Sequence, residues 1–352
     1  MSLLAIILIV ALVAVGAAVV LFNKSKKENK EEVPAIEKEK QKLQSLIRNE
    51  AGIDEIIGQL DKILEIEPEN TDMINNKARC LYLKSKEDND KDMFDKALLC
   101  YDKSLSLNPD NAQTLFAKAQ VLTSSEHHIV QSIEYYDKAI ERSPDFMDAW
   151  RIKAQTLGIL GPEYFDEARE CYDHIMNLFS FKGGVEILLH EKIELMLKNL
   201  SQTGKYLDET IEDLDRLDKM MPNNPEVSFN KALAYHYAGE EHLASAMQFY
   251  DKAIGIDPDQ ESAWTNKGAL HLQMKQLDEA LACFDNAMQL NEESPMIWNN
   301  TALVYDKMGN VEKASACFEK VLSIDPDWKY PATNKKIVLE TAWVNDPFKD
   351  IE

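Results

Sequence analysis

One internal repeat constrains this chain more than any other feature. Trp264, Gly268, His271, Ala280, Phe284 and Ala287 recur 34 positions later as Trp298, Ala302, Tyr305, Ala314, Phe318 and Val321, and the second unit closes on Pro326. Self-similarity at that period marks units that bury their apolar faces against one another, so the core grows along one axis. Proline, or a substitute for it, closes the earlier units at Pro68, Pro109, Pro144, Ser180, Pro222, Pro258 and Glu292. The intervals, ending at Pro326, are 41, 35, 36, 42, 36, 34 and 34. The polar insertion KEDNDKD (86–92), expected between the two helices of its unit, lengthens the first. Gly183-Gly184 breaks the unit with the other long interval.

A second signature fixes the register. A hydrophobic residue, an acid and usually a base recur as Leu60-Asp61-Lys62, Tyr101-Asp102-Lys103, Tyr136-Asp137-Lys138, Tyr172-Asp173-His174, Leu214-Asp215-Arg216, Tyr250-Asp251-Lys252, Phe284-Asp285-Asn286 and Phe318-Glu319-Lys320. Eight occurrences give eight units. Helical periodicity puts the first residue against a neighbouring helix and the two polar ones toward water.

Paired Trp and Phe, small residues where two helices touch and a closing proline resemble the tetratricopeptide repeat. The resemblance implies an all-α fold, a right-handed α-solenoid of about eight helix-turn-helix repeats over residues 36–327. It is clearest over 225–327 and faintest over 36–68 and 182–223. A terminal segment, 328–352, carries a solvating helix at 330–344. The family's first helices line a concave face. There, Asn230, Asn266, Asn300 and Asn334 occupy one slot at intervals of 36, 34 and 34. The resemblance implies an asparagine ladder that grips an extended peptide, because a carboxamide pairs with both N–H and C=O of a backbone. The competing reading is that each Asn bonds within its own repeat. The family's carboxylate clamp is not expected, because Phe229, Leu233, Thr265 and Ala269 hold the slots that need basic residues. Lys77, Lys118, Lys153, Lys231 and Lys267 follow the Asn slot and are expected to lay their stems over a neighbouring helix with the charge in water.

Residues 3–22 contain no charged side chain. A helix of that length spans the roughly 30 Å hydrocarbon core of a bilayer. A cleaved signal peptide is the competitor, but no basic residue precedes the run and the run is long for one. Lys24, Lys26, Lys27 and Lys30 follow it directly. A single-pass membrane protein is therefore expected, anchored by residues 1–22, with 23–35 a charged tether and the repeats in the cytoplasm.

The chain has 352 residues and a net charge of −22, which disfavours nucleic acid; the acidity reads either as the solvated surface of a long exposed solenoid or as a preference for basic partners. Cys100, Cys171, Cys283 and Cys317 each precede an aromatic and occupy one slot in four units. Equal slots of stacked helices lie too far apart for a disulfide. His127-His128 falls at a turn without further ligands, and no phosphate-loop, zincin or nucleophile-elbow motif occurs. No catalytic residue, metal site or cofactor is expected. Asn23, Asn199 and Asn299 open Asn-x-Ser/Thr sequons that matter only in a translocated body. The expected function is a membrane-anchored scaffold or receptor that binds a protein or an extended peptide. Two alternatives are an assembly factor for envelope or secretion complexes with a translocated body, and a self-assembling structural scaffold.

Overall fold

The computed structural model describes residues 35–178 and 185–328. The apolar segment 3–22, the tether, Gly183-Gly184, Asn334 and the helix expected at 330–344 lie outside the described residues. Sixteen α-helices and two 3₁₀ turns, Pro162–Tyr164 and Glu240–His242, occur among them. No described helix is long and apolar enough to cross a membrane.

Two compact units divide at Leu160 and Gly161. The first holds α1 (Ala35–Arg48), α2 (Ile53–Ile66), α3 (Thr71–Asp88), α4 (Lys91–Leu107), α5 (Ala112–Thr123), α6 (Ile129–Arg142) and α7 (Met147–Leu160). The second holds α8 (Phe165–Leu178), α9 (Val185–Thr203), α10 (Leu207–Met220), α11 (Pro225–Ala238), α12 (Leu243–Ile256), α13 (Glu261–Gln273), α14 (Leu277–Leu290), α15 (Pro295–Lys307) and α16 (Val311–Ile324). Within each unit every helix packs on the next. The first helices of successive pairs also touch, as α5 with α7, α9 with α11 and α13 with α15. That is the contact pattern of stacked helical hairpins.

The turns explain why the helices start where they do. Asn70, Asn111 and Asn224, each two positions after a closing proline, accept a hydrogen bond from a backbone N–H of the helix that follows, at 3.1, 3.1 and 2.8 Å. Such caps satisfy donors that have no partner inside the helix. Farther along, Asp257, Asn291 and Asp325, in one slot of successive repeats, each accept from the N–H two positions ahead and fold the turn locally. The indole N–H groups of Trp150, Trp264 and Trp298 donate to the carbonyls of Pro144, Pro258 and Glu292 at 3.0, 2.9 and 2.7 Å. Glu292 thus closes its repeat as the prolines close theirs.

The hydrophobic slot of the second signature is core. Leu60, Tyr101, Tyr136, Tyr172, Leu214, Tyr250 and Phe284 are all buried. Gly268 lies against Phe284 so closely that an added Cβ would come within 2.6 Å of the ring. The insertion at 86–92 is not a loop between helices. Its two ends lengthen α3 and α4, and the turn is only Asn89, in the left-handed region at φ 51°, and Asp90, which caps α4. Polar residues with good helix propensity extend a helix at less cost than a loop of the same length would carry.

Candidate functional site

From α9 on, the first helix of each pair is the more deeply buried. In α13 and α15 the slots that carry the expected ladder, Asn266 and Asn300, have no exposed surface. Asn266 turns its amide back to the Ser262 carbonyl of its own helix at 3.0 Å, the competing reading of the sequence. Asn230 in α11 is half-buried. The four asparagines therefore do not present one continuous accessible row in this structure: two are enclosed, one is at the surface and Asn334 is outside the described residues. The clamp slots Phe229, Leu233, Thr265 and Ala269 are likewise buried.

What the repeat does present is a row of ion pairs between neighbours. The acid of the second signature, on the second helix of one pair, meets the lysine that follows the Asn slot, on the first helix of the next pair. The pairs are Asp61–Lys77 at 2.5 Å, Asp102–Lys118, Asp137–Lys153 at 2.6 Å, Asp215–Lys231 at 2.8 Å and Asp251–Lys267 at 2.6 Å. Asp173–Lys192 joins them at 2.7 Å across the irregular repeat, where Lys192 also reaches Asp213 at 2.7 Å. The two polar stripes were expected to face water. They face each other, because four of the lysines have lost nearly all solvent: Lys118, Lys153, Lys192 and Lys231 are 4–6% exposed. A buried ammonium needs a carboxylate partner, whereas the acids, on the outer helix, keep one side wet.

Lys231 shows the balance of forces. Burial is the largest influence and acts to lower its pKa, but the hydrogen bonds and charges of Asp215 and Asp218 together outweigh it and hold it above the usual lysine value. Aromatic faces add to several rungs. The Lys118 ammonium lies 4.3 Å from the Tyr135 ring centroid and donates to its hydroxyl at 2.8 Å. Among the described residues the ladder lapses once, where Thr301 takes the lysine slot opposite Asp285 and bonds its own helix at the Ile297 carbonyl.

One buried histidine belongs to this stacking. His236 of α11 lies 3.3 Å from the Tyr250 hydroxyl of α12 through Nδ1 and 3.0 Å from Gln273 Oε1 of α13 through Nε2. Burial pushes its imidazole down to about 4, so the ring is neutral at ordinary pH. All five cysteines are free, and burial pushes the Cys80 and Cys283 thiols up to about 11. No group of three or more His, Cys, Asp or Glu side chains that could hold a metal ion occurs among the described residues. Sequon residues Asn199 and Asn299 are buried within helices.

Residues 225–260 and 259–327 match family models described as tetratricopeptide repeat. Residues 225–327 are thus similar to tetratricopeptide repeats. An uncharacterized protein of Methanocaldococcus jannaschii is 40% identical over 57 residues, which are 16% of this chain and 64% of that protein. Stress-induced-phosphoprotein 1 of Caenorhabditis elegans is 21% identical over 191 residues, 53% of this chain and 54% of that protein. The chain thus spans under two thirds of the length of these curated relatives. The crystal structure of a tetratricopeptide repeat protein from Parabacteroides merdae aligns with 79% of this chain and 98% of its own at 14% identity and a TM-score of 0.46.

Proposed function

We propose that this chain is a protein- or peptide-binding scaffold held at a membrane by residues 3–22, with its repeats on the cytoplasmic side. The observation that carries the binding reading is the fold itself: hairpins stacked by nearest-neighbour contacts within each unit, with residues 225–327 similar to tetratricopeptide repeats. Such an array gains affinity from many modest contacts along an extended surface, not from one enclosed pocket. Its acidity favours a basic partner. Asn230, the ladder residue that keeps exposed surface in the described structure, is the contact we assign on the first-helix face. The anchor rests on the uncharged run at 3–22 and the lysines that follow it.

Two experiments test the parts separately. The full chain should stay with membranes through alkaline carbonate washing, and a chain lacking residues 1–34 should be released; release of both would refute the anchor. Detergent-solubilised full chain should then co-purify a partner that Asn230→Ala loses with its helical circular dichroism unchanged. Equal recovery by the variant removes Asn230 from the site, and recovery no greater than from bare resin contradicts the scaffold.

A further inference from the structure

The face that the first helices turn away from the second helices is open in the first unit and closed at the end of the second. In α13, Lys267 reaches Asp251 of α12 and Gly268 meets Phe284 of α14. At roughly 100° per residue, Thr265, Asn266 and Ala269 lie on the opposite arc of that helix. All three are fully buried. In α15 the same slots, Asn299, Asn300 and Leu303, are buried too, and so are Phe229 and Leu233 in α11. The first unit differs: Asn75, Asn76 and Arg79 of α3 are half-buried, and Gln120 of α5 is exposed.

Stacking does not account for the difference. α5 touches α7 as α13 touches α15, yet the face of α5 stays open. α15 is the last first helix among the described residues, with one first helix beside it, and its face is closed all the same. A buried acceptor lies on that face. Asn299 is 1% exposed, and its Oδ1 accepts no hydrogen bond among the described residues. A buried oxygen of that kind calls for an N–H from a further segment.

We infer that residues 329–352 of this chain lie along the first-helix face of α11, α13 and α15 as an internal ligand. The tail leaves the array just after α16, which packs on α15, and it has 24 residues. From α11 to α15 is two helix spacings, about 20 Å. The helix expected over 330–344 has a length of about 22 Å. Such a helix puts Tyr330, Ile337 and Val344 on one side, to meet the apolar floor of Phe229, Leu233 and Leu303. A cap on the last repeat would close α15 and α16 without reaching α11. The apolar run 3–22 precedes the other unit and is committed to the bilayer on the scaffold reading. On that reading the tail also competes with the partner for this face.

The test is maleimide labelling of single introduced cysteines in detergent, resolved peptide by peptide in a mass spectrometer. Thr265→Cys should label at least about tenfold faster in a chain ending at Trp328 than in the full chain, while Asn76→Cys labels at one rate in both. The native Cys283, buried in the same unit, should stay slow in each, which shows the fold intact. Ile337→Asp with Val344→Asp in the full-length chain should open Thr265→Cys as truncation does. A benzophenone side chain at Ile337 should crosslink within one molecule to α11 or α13. No partner enters these measurements, so they stand apart from the scaffold reading. Thr265→Cys equally slow in every chain, or opened only by removal of residues 1–34, would overturn the assignment. So would Ile337 adducts confined to α15 and α16 or to a second copy.

Discussion

Single residues carry two sharp tests of the packing. Gly268→Ala pushes a methyl group into the Phe284 ring and should cost about 1–3 kcal/mol, the usual penalty of overpacking. Gly58, inside α2 with nothing within 4 Å of an added Cβ, should do the reverse. Gly58→Ala should gain about 0.5–1 kcal/mol through helix propensity. Urea titration of the two variants checks both signs. His236 supplies the third. Its folded pKa is depressed to about 4, below the roughly 6.5 of a free imidazole, so the unfolded chain binds the proton more readily. The stability it contributes is complete above pH 6.5 and is lost as pH falls toward 4, amounting to about 2 kcal/mol by pH 5. Thermal unfolding at pH 7.5 and pH 5 should show the loss, and His236→Gln should remove most of it. An equal slope in the variant would assign the effect to other groups.

At the scale of elements, the central device is the pairing of Asp and Lys between adjacent hairpins. It was legible in the sequence as two separate stripes, and the missing step was a subtraction. Asp61 to Lys77, Asp102 to Lys118, Asp137 to Lys153, Asp215 to Lys231 and Asp251 to Lys267 all share one offset along the chain. A constant offset across a turn between two helices places both ends at one height of the stack. Lys192 escaped because the irregular repeat stretches its offset from Asp173. For the asparagine slot the period gave the register and not the exposure. Periodicity tells which residues share a slot, but whether that slot reaches water depends on how closely its surroundings pack, and in α13 and α15 the slot is fully buried. The helical pairing, the aromatic core slot and the small residues at helix crossings needed only the period, since each follows from which side chains must meet. The ladder makes its own prediction at the lapse. Thr301→Lys should reach Asp285 and stabilise by up to about 1 kcal/mol, the value of a partly exposed pair. Asp285→Asn in the same chain should cancel that gain in a double-mutant cycle. A cost for Thr301→Lys that Asp285→Asn leaves unchanged would mean the slot lacks room.

At the scale of the molecule, contacts between neighbours within each unit mean that stability is distributed, not concentrated in one core. Lys267→Ala, which deletes one rung in the second unit, should speed amide exchange in α12–α14 and leave α1–α5 unchanged by mass spectrometry. The scaffold reading itself is tested most directly by site-specific photo-crosslinking in the native membrane. A benzophenone side chain at Asn230, on a first helix, should trap a discrete protein partner, while the same probe at the exposed Gln289 of α14 should trap little. No adduct at Asn230, or one equally strong at Gln289, would contradict a scaffold that binds through its first-helix face.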